Sequence, residues 1–443
     1  MPVSVPTRRR QDREILALAL PAFGALVAEP LFLMADSAMV GHLGTPQLAG
    51  LGVAAALLGT VVNVFVFLAY ATTAAVSRSI GAGDPATAIR RGMDGIWLAL
   101  LLGAVLVAVA VPAAPALVDL FGASPTAAPH ATAYLRVSAL GIPPMLMVLA
   151  ATGVLRGLQD TRTPLYVALG GFTGNIALNA LFLYGLDLGV AGSAWGTVLA
   201  QFGMAAAYLR VVVRGARTHG ADLRPSRAGI LGNARAGVPL LVRTLSLRAV
   251  LLLTTAVAAR LGDADIAAHQ IALTIWTLLA FALDAIAIAG QAIIGRYLGA
   301  GDAAGARSAC ARMVRWGIVS GLALGLLTAA ASPVLLHVFT GDTDVRGHLL
   351  PVLLVVAVCQ PVAGVVFVLD GVLMGAGDGP YLAGAMLLTL ALFVPAVLLV
   401  RPLGGGVTAL WWVFGGLMMA IRMVTLTVRT RTGRWVVTGA ARA

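Results

Sequence analysis

Four acidic residues stand inside long apolar stretches of the chain, where a charge is costly. Glu29 and Asp36 lie in the first stretch, Asp284 in the eighth and Asp370 in the tenth. An aspartate near the centre of a membrane-spanning helix costs roughly 2.5–3.5 kcal/mol on insertion scales, so such acids tend to bind protons or ions. We expect Asp36 to be the main proton- or cation-binding carboxylate. The alternative for each acid is a structural hydrogen bond.

Glu29 lies seven residues before Asp36, two helical turns away on nearly the same face. Pro30 beside it removes a helix hydrogen bond and favours a kink. This spacing predicts either a polar seam along the helix or a bend that Glu29 stabilises.

Amide side chains in the fifth apolar stretch could orient a carboxylate. Asn175 and Asn179 are one turn apart and so share a helix face. Their alternative role is polar packing between helices, which is common in membrane bundles.

Polar residues of the second half form a less definite set. Asp284 shares a stretch with Gln291, two turns later, and Arg243 in the seventh stretch could neutralise Asp284 or Asp370. Buried ion pairs often do no more than satisfy each other. Both a substrate- or ion-handling role and a structural role therefore stay open for these residues.

The composition indicates how these side chains are positioned. The 443 residues are 60% hydrophobic and 11% charged, whereas about a quarter of a soluble domain is charged. Apolar stretches of about 20 residues, long enough to cross a bilayer core as helices, occur twelve times. The predicted spans are 17–40, 50–76, 95–118, 132–154, 165–186, 191–213, 238–260, 267–294, 316–338, 349–373, 382–400 and 407–426. The chain is therefore expected to be an all-α integral membrane protein.

Several function classes are excluded by what the sequence lacks. Cys310 and Cys359 are the only cysteines and lie in or beside apolar segments, so we expect neither a disulfide framework nor a metal site. No nucleotide-binding P-loop occurs, and no polar segment is long enough for an ATPase domain. We expect no enzyme activity and no cofactor. A pump of this kind must use an ion gradient.

The distribution of charge predicts orientation. The net charge of +12 comes from basic residues in short segments between spans, which argues against nucleic-acid binding and follows the positive-inside rule. With the N-terminus inside, 24 of the 30 basic residues fall on the cytoplasmic side, Arg422 and Arg429 among them. The opposite loops carry acids, namely Asp119, Asp187, Asp263, Asp265, Asp342 and Asp344. Both termini are predicted to be cytoplasmic.

The chain contains an internal repeat at one offset. Pro21 and Pro239 are 218 positions apart, and the same offset relates the two Gly-Ala-Gly-Asp segments, 81–84 and 299–302. Further pairs at this offset are Leu43-Gly44 with Leu261-Gly262, Arg78 with Arg296, Pro115 with Pro333, Pro143 with Pro361, and Gly153-Val154-Leu155 with Gly371-Val372-Leu373. Each copy holds six spans, so both enter the membrane from the same side and relate by an axis along its normal. We predict an N-lobe at 1–213, a cytoplasmic linker at 214–235 and a C-lobe at 236–443.

These motifs resemble those of the multidrug and toxic compound extrusion (MATE) family along nearly the whole chain. The opening motif runs from Leu18-Ala19-Leu20-Pro21 through Glu29-Pro30-Leu31 to Ala35-Asp36-Ser37-Ala38-Met39-Val40-Gly41-His42-Leu43-Gly44. The Arg-x-x-Gly-Ala-Gly-Asp loops and the segment 155–161 are also similar. Ala267-Ala268-His269-Gln270-Ile271 and the stretch 284–296 look like the DinF branch, which includes plant organic-acid exporters.

The resemblance implies a fold and a set of roles. It implies twelve helices in two pseudo-twofold-related lobes arranged as a V, exporting drugs against proton or sodium entry. It assigns a conformational role to Pro21 and makes Asn175 and Thr197 polar partners of Asp36. Related proteins can carry an acid at the position of Asn179, so the asparagine here departs from a two-carboxylate relay.

The sequence thus predicts an antiporter that exchanges amphipathic, often cationic, compounds for protons, with sodium as the alternative ion. We expect it to act as a monomer in a bacterial inner membrane, with small molecules and the lipid bilayer as its partners. The competing hypotheses are an exporter or flippase of lipid intermediates or organic anions from the same superfamily, and a channel or receptor without coupled transport. The last of these does not explain the repeat.

Overall fold

The computed structural model describes residues 8–41 and 44–440. His42 and Leu43 of the opening motif lie outside this range, as do residues 1–7 and 441–443. Within it, eleven helices are long and apolar enough to cross a membrane, and a bent pair of shorter helices makes a twelfth span. We number these spans α1 (Arg8–Gly41), α2 (Thr45–Gly81), α3 (Pro85–Leu120), α4 (Ala128–Ala139 with Ile142–Gly157), α5 (Arg162–Gly185), α6 (Gly189–His219), α7 (Arg227–Ala258), α8 (Asp263–Gly299), α9 (Ala303–Phe339), α10 (Thr343–Gly375), α11 (Gly379–Leu399) and α12 (Val407–Arg431).

The all-α fold and its twelve spans are confirmed, and the irregularities within them were not predicted. The fourth span, expected as one helix, bends by 51° between Ala139 and Ile142. The second piece begins Ile142-Pro143-Pro144, and prolines cannot donate the backbone hydrogen bonds that would continue the first piece. α5 ends in a π-turn over Leu181–Gly185, and α12 contains another over Trp412–Met418.

Helix boundaries reproduce the internal repeat. α2 and α8 begin at Thr45 and Asp263 and end at Gly81 and Gly299, so both pairs of ends are 218 positions apart. The same separation holds for the starts of α3 and α9, at 85 and 303, and of α6 and α12, at 189 and 407. The two copies therefore fold alike.

The repeated Gly-Ala-Gly-Asp segments are turns that stop one helix and start the next. Gly83 and Gly301 both have φ +77°, a left-handed conformation that costs a glycine little. The aspartate that follows each then caps the next helix. Asp84 accepts a hydrogen bond from the Thr87 backbone N–H at 2.9 Å, and Asp302 accepts one from Gly305 at 2.7 Å.

Glycines also set the closest helix contacts. A Cβ added to Gly153 on α4 would overlap the carbonyl oxygen of Ala69 on α2. The repeat-related pair, Gly371 on α10 and Ala287 on α8, makes the equivalent contact. The Gly-Val-Leu motif in each half is therefore explained by backbone-to-backbone packing.

The chain divides into two compact units. One contains residues 24–237, and the other contains residues 8–23 together with 238–440. The boundaries of these packing units differ from those of the lobes inferred from the repeat. The difference arises because the first part of α1 packs with the later helices.

Each unit has its own apolar core. In the unit of residues 24–237, a buried cluster includes Val40, Tyr134, Leu183 and Ala194. In the other unit, Trp411 is fully buried against Trp276, Phe414 and His269. His269 and Trp411 thus pack in this core.

Candidate functional site

Asp36 lies in a buried polar site within the unit of residues 24–237. Its side chain is on α1, and the residue is only 5% exposed. The carboxylate oxygen Oδ1 accepts two hydrogen bonds of 2.7 Å, from Asn179 Nδ2 on α5 and from the Ser193 hydroxyl on α6. Three helices therefore meet at one carboxylate.

A tyrosine on α4 completes the surroundings of this carboxylate. The phenol of Tyr134 lies near the Asp36 carboxyl group and near the side chains of Ser193 and Thr197. Tyr134 and Asn179 are both buried. The apolar cluster that contains Tyr134, Leu183 and Ala194 keeps the site away from solvent, which strengthens every polar interaction in it.

The two amides predicted on α5 have different partners. Asn179 binds Asp36 directly, whereas Asn175 donates a hydrogen bond of 3.0 Å to the Thr197 hydroxyl on α6. Within the described residues, the Oδ1 atoms of both asparagines are buried without a hydrogen-bond partner. Gly196 lies against the Asn179 amide, so any Cβ there would collide with it. One carboxylate, two amide oxygens and hydroxyl groups thus share a small buried volume.

The irregular end of α5 lies close to this site. The π-turn at Leu181–Gly185 begins two residues after Asn179, and the chain then turns through Asp187 and Gly189, with φ of +52° and +57°, into α6. π-turns are frequent at functional sites, where they redirect side chains. This turn brings Ser193 back to the level of Asn179.

The other predicted residues of α1 lie outside this hydrogen-bonded group. The Glu29 residue is exposed within the unit of residues 24–237, whereas Asp36 is buried there. Pro21 and Pro30 both lie within α1, which is helical from Arg8 to Gly41.

A second charged cluster joins three helices of the other unit. Arg243 on α7 forms a two-point ion pair with Asp370 on α10, and Arg243 Nε donates to Asp370 Oδ1 at 3.2 Å. Arg422 on α12 donates to Oδ2 of the same carboxylate at 2.8 Å. All three residues are buried. We call Arg243, Asp370 and Arg422 the arginine cluster.

Arg422 is a core residue, which the count of basic residues does not reveal. The sequence places it with the cytoplasmic basic residues of the C-terminus, and in the structure it is buried inside α12 with Asp370 as its partner. The side of the membrane on which it lies stays a prediction.

The two candidate residues of α8, Asp284 and Gln291, have different neighbours. Asp284 is half-buried and close enough to Arg422 for their charges to interact. Gln291 is buried, and its Nε2 contacts Met374 Sδ at 3.5 Å. Asp284 therefore belongs electrostatically with the arginine cluster, while Gln291 packs between α8 and α10.

Tyr134 and Ser193 were not found by sequence reasoning. Ser193 stands one turn before Thr197 on α6, and the helical spacing of two small hydroxyl residues in an apolar stretch was the available signal. Tyr134 gave no such signal, because its position next to Asp36 depends on how α4 packs.

The described residues contain no group of three or more His, Cys, Asp or Glu side chains placed to hold a metal ion. Cys310 and Cys359 are buried free thiols. Besides the Asp36 site and the arginine cluster, further ion pairs join Arg296 to Glu14, Arg312 to Asp12 and Arg429 to Asp378.

Comparison with protein families gives a match to each half of the chain. The MatE family model matches residues 21–181 and 239–399. The two matches begin 218 positions apart and end 218 positions apart, as the repeat requires. Together they cover most of both repeats.

Curated relatives extend over nearly the full length. The chain is 32% identical to Protein DETOXIFICATION 44, chloroplastic, of Arabidopsis thaliana over 437 residues, which cover 95% of this chain and 83% of that protein. It is 28% identical to the DNA damage-inducible protein F of Escherichia coli K12, covering 96% and 94% of the two chains. It is also 26% identical to a probable multidrug resistance protein NorM of Thermotoga maritima, covering 75% and 73%.

Solved structures share the fold. The Vibrio cholerae MATE transporter VcmN in its bent form superposes with a TM-score of 0.88 at 21% identity, covering 97% of this chain and 99% of that one. A transporter of the MOP superfamily from Pyrococcus furiosus, described as having a binding pocket of reverse polarity, superposes with a TM-score of 0.83 at 22% identity, covering 98% and 97%.

Proposed function

Because the chain belongs to the MATE family of multi-pass membrane transporters, we propose that it exports small amphipathic, often cationic, compounds in exchange for protons. Family membership makes it a transporter rather than an enzyme. The exchange mechanism, the coupling ion and the participating residues are parts of the proposal.

The observation that carries the proposal is the buried carboxylate of Asp36 with donors from two other helices. A charged aspartate inside a membrane helix is costly, and uptake of a proton removes that cost. Loss of the proton makes the hydrogen bonds from Asn179 and Ser193 stronger, since bonds to an ionised acceptor are about twice as strong as neutral ones. Proton exchange at Asp36 therefore changes how tightly α1 is held to α5 and α6.

This change supports exchange by alternating access. A proton that enters from outside neutralises Asp36 and loosens the junction of α1, α5 and α6. A proton that leaves to the cytoplasm restores it. A ligand that binds one of these two states better than the other shifts the equilibrium between them, and this difference links substrate movement to proton movement.

The proton is proposed because a single buried carboxylate can hold one without any further ligand. The Asn179 amide and the Ser193 hydroxyl give hydrogens to Asp36 Oδ1, which supports the ionised form after the proton has left. The amide oxygens of Asn175 and Asn179 have no hydrogen-bond partner among the described residues, and such oxygens would also suit a sodium ion. Sodium coupling is the alternative.

One observation favours a second function, the export of organic anions or lipid intermediates. The arginine cluster holds two guanidinium groups against one carboxylate, and a surplus of positive charge would suit an anionic substrate. Asp284, a half-buried acid near Arg422, offsets this surplus when it is ionised. The Pyrococcus furiosus neighbour, whose description gives its pocket reverse polarity, makes this function worth testing alongside drug export.

We further propose a bacterial inner membrane as the location, with both termini in the cytoplasm, and action as a monomer. The bacterial relative DNA damage-inducible protein F and the distribution of basic residues between spans support the location and the orientation.

Reconstitution into sealed proteoliposomes tests the function. Vesicles loaded with a fluorescent cation, with an anionic dye or with neither are given a pH gradient, a sodium gradient or no gradient, and dye movement is followed together with internal pH. We expect movement of the cation that depends on the pH gradient and dissipates it. Movement of the anionic dye alone would favour the second function, and movement without any gradient would contradict coupled transport.

A further inference from the structure

The last part of α6 carries three arginines on one face. Arg210, Arg214 and Arg217 follow one another at intervals of four and three residues, a spacing that places side chains on one side of a helix. All three are exposed. α6 ends at His219, so the three guanidinium groups belong to roughly its last three turns. We call Arg210, Arg214 and Arg217 the α6 stripe.

An apolar strip continues the same face toward the start of α6. Leu199, Gly203 and Ala206 occupy the helical positions that precede Arg210 on this face, and all three are exposed. Phe202 beside them is 51% exposed. A Cβ added to Gly203 would meet no neighbouring helix within 4 Å among the described residues, so the strip is open. An exposed apolar surface on a membrane span is suited to contact with lipid acyl chains.

The two parts of this face have the dimensions of one leaflet of a bilayer. Leu199 and Arg210 are about 16 Å apart along the helix, and half of a hydrocarbon core is about 15 Å thick. The α6 stripe extends about 10 Å beyond Arg210 and so spans the headgroup layer, which is about 5–8 Å thick. An acyl chain and its headgroup can therefore meet the apolar strip and the arginines together.

The α6 stripe has little acidic charge to balance it within its unit. The ion pairs of the described residues do not include its arginines. Residues 204–237 contain six arginines and a single acid, Asp222. α3 packs against this part of α6 beside Gly215, and its buried Asp94 already accepts the Ser226 backbone N–H at 3.1 Å. The stripe thus presents its positive charge outward.

The equivalent face of α12 has no such stripe. The positions 218 residues after the α6 stripe are Val428, Thr432 and Trp435. Val428 is 53% exposed, and Trp435 is buried. Arg431, in the last turn of α12, is exposed. One exposed arginine at the end of α12 therefore corresponds to a row of three on α6.

Two other arginines of α12 face acids instead of the surroundings. Arg422 is paired with Asp370, and Arg429 is paired with Asp378. The positive-inside rule accounts for basic residues near the ends of both helices, but it does not select a helix face. Orientation alone therefore does not explain why the α6 arginines share one exposed face that continues an apolar strip.

A phosphate group is the anion that fits this arrangement. Guanidinium groups bind phosphate oxygens through paired, charge-assisted hydrogen bonds. Basic residues beside membrane spans attract anionic lipid headgroups. A zwitterionic headgroup carries the same phosphate together with a cation, which the α6 stripe would repel, so the charge favours an anionic lipid.

We propose that the α6 stripe binds the headgroup of an anionic phospholipid whose acyl chains lie on the apolar strip. The lipid would hold the end of α6 at a defined depth in the membrane. The inference goes beyond the proposed efflux function and applies whichever compound is transported.

A fluorescent label on the apolar strip reports which lipid lies there. Ala206→Cys in a Cys310→Ala/Cys359→Ala background is labelled with bimane and reconstituted into vesicles of equal amounts of phosphatidylglycerol and phosphatidylcholine. One of the two lipids carries brominated acyl chains, which quench the label. We expect phosphatidylglycerol to be preferred about fivefold, the contribution of roughly one base beside an anionic lipid. Equal quenching by the two lipids, or quenching by neither, would overturn the proposal.

Substitutions separate a headgroup site from general surface charge. Arg210→Gln/Arg214→Gln/Arg217→Gln should lose the preference, and lysines at the same three positions should keep most of it. The matched control removes as many charges from exposed arginines of the other unit, in Arg307→Gln/Arg431→Gln/Arg434→Gln, and should keep the preference. An equal loss in the control, or a preference that persists in the glutamine variant of α6, would contradict the site.

A soluble competitor distinguishes a lipid from a free phosphate compound. Glycerol phosphate shares the phosphate group but has no acyl chains, so we expect millimolar amounts to leave the preference unchanged. Abolition of the preference would contradict a membrane lipid as the occupant. None of these measurements requires transport, so failure of the proposed efflux function and failure of the lipid site can be told apart.

Discussion

Asn179 donates a hydrogen bond to Asp36 over 2.7 Å, although 143 residues separate them in the chain. The family resemblance implies that related proteins can carry an acid at the Asn179 position, and in this chain the amide gives a hydrogen there. Asp36 is therefore the only carboxylate of this hydrogen-bonded group, and its partners are neutral side chains. Proton exchange at the site would change the net charge by one without a second acid to share the proton.

Introducing a second acid at position 179 should change the pH dependence of transport. In Asn179→Asp the new carboxylate lies next to Asp36, and a like charge disfavours ionisation of either group. We expect efflux to persist and its pH dependence to move to higher pH, because protons would leave the site less readily. Asn233→Asp is the control, since it adds the same charge at an asparagine that is bonded to the Arg91 backbone carbonyl and lies outside the Asp36 site. Equal profiles for wild type and Asn179→Asp would show that the two side chains do not meet during transport.

Removal of the Ser193 hydroxyl should also change the protonation equilibrium of Asp36. Ser193→Ala takes away one donor to the carboxylate, and a hydrogen bond to a charged group contributes about 1.5–3 kcal/mol, equivalent to a shift of about one to two pH units. We expect the pH dependence of efflux to move to higher pH because the ionised form loses support. Ser193→Thr keeps the hydroxyl and should stay near wild type. A parallel loss of activity in both variants, with no shift, would assign Ser193 to packing alone.

The sequence was sufficient to predict features that appear in it as apolar stretches of regular length or as residues repeated at a fixed offset. The twelve spans and the repeat were of this kind, whereas the sequence left open whether Asn179 orients a carboxylate or packs between helices. Asn179 could be proposed because polar residues in apolar helices are few, so the number of possible partners is small.

Other features depend on packing that local sequence does not encode. The bend in α4 places Tyr134 beside Asp36, and the π-turn after Asn179 brings Ser193 to the carboxylate. Arg422 could have belonged to the basic C-terminal segment or to the core, and only the position of Asp370 decides between them. The packing of the first part of α1 with the later helices likewise arises from contacts between residues 300 positions apart, such as Asp12 with Arg312.

The arginine cluster should contribute mainly to stability. Asp370→Asn leaves the buried Arg243 and Arg422 without their shared carboxylate, and breaking a buried pair in this way costs about 3–5 kcal/mol. We expect a clear fall in the melting temperature of the purified protein in detergent. Asp344→Asn serves as the control because Asp344 is exposed and lies outside the arginine cluster. If Asp370→Asn melted like wild type yet lost efflux, the cluster would have a substrate or ion role instead.

The predicted orientation determines from which side of the membrane an introduced cysteine can be labelled. Cysteines placed at the N-terminus, in the 214–235 linker and at the C-terminus of a cysteine-free variant should react with an impermeant thiol reagent only after the cells are opened. A cysteine at Gly341, between α9 and α10, should react in intact cells, since this loop follows an odd number of spans. Labelling of the linker in intact cells would contradict the arrangement inferred from the repeat and from the basic residues.

Asp36 should be the principal coupling carboxylate. It is the charged group on which α1, α5 and α6 converge, and the sequence offers no nucleotide-driven source of energy. Asp36→Asn keeps the size of the side chain but cannot exchange a proton, so we expect the variant to fold and to bind a cationic dye with an affinity near that of wild type. Gradient-driven efflux should fall to the background of empty vesicles, because substrate binding needs no proton cycle whereas net transport does. Glu29→Gln, on the exposed part of the same helix, is the matched control and should keep measurable efflux. Full efflux by reconstituted Asp36→Asn under a pH gradient would refute the assignment and direct attention to Asp284, the half-buried acid beside the arginine cluster.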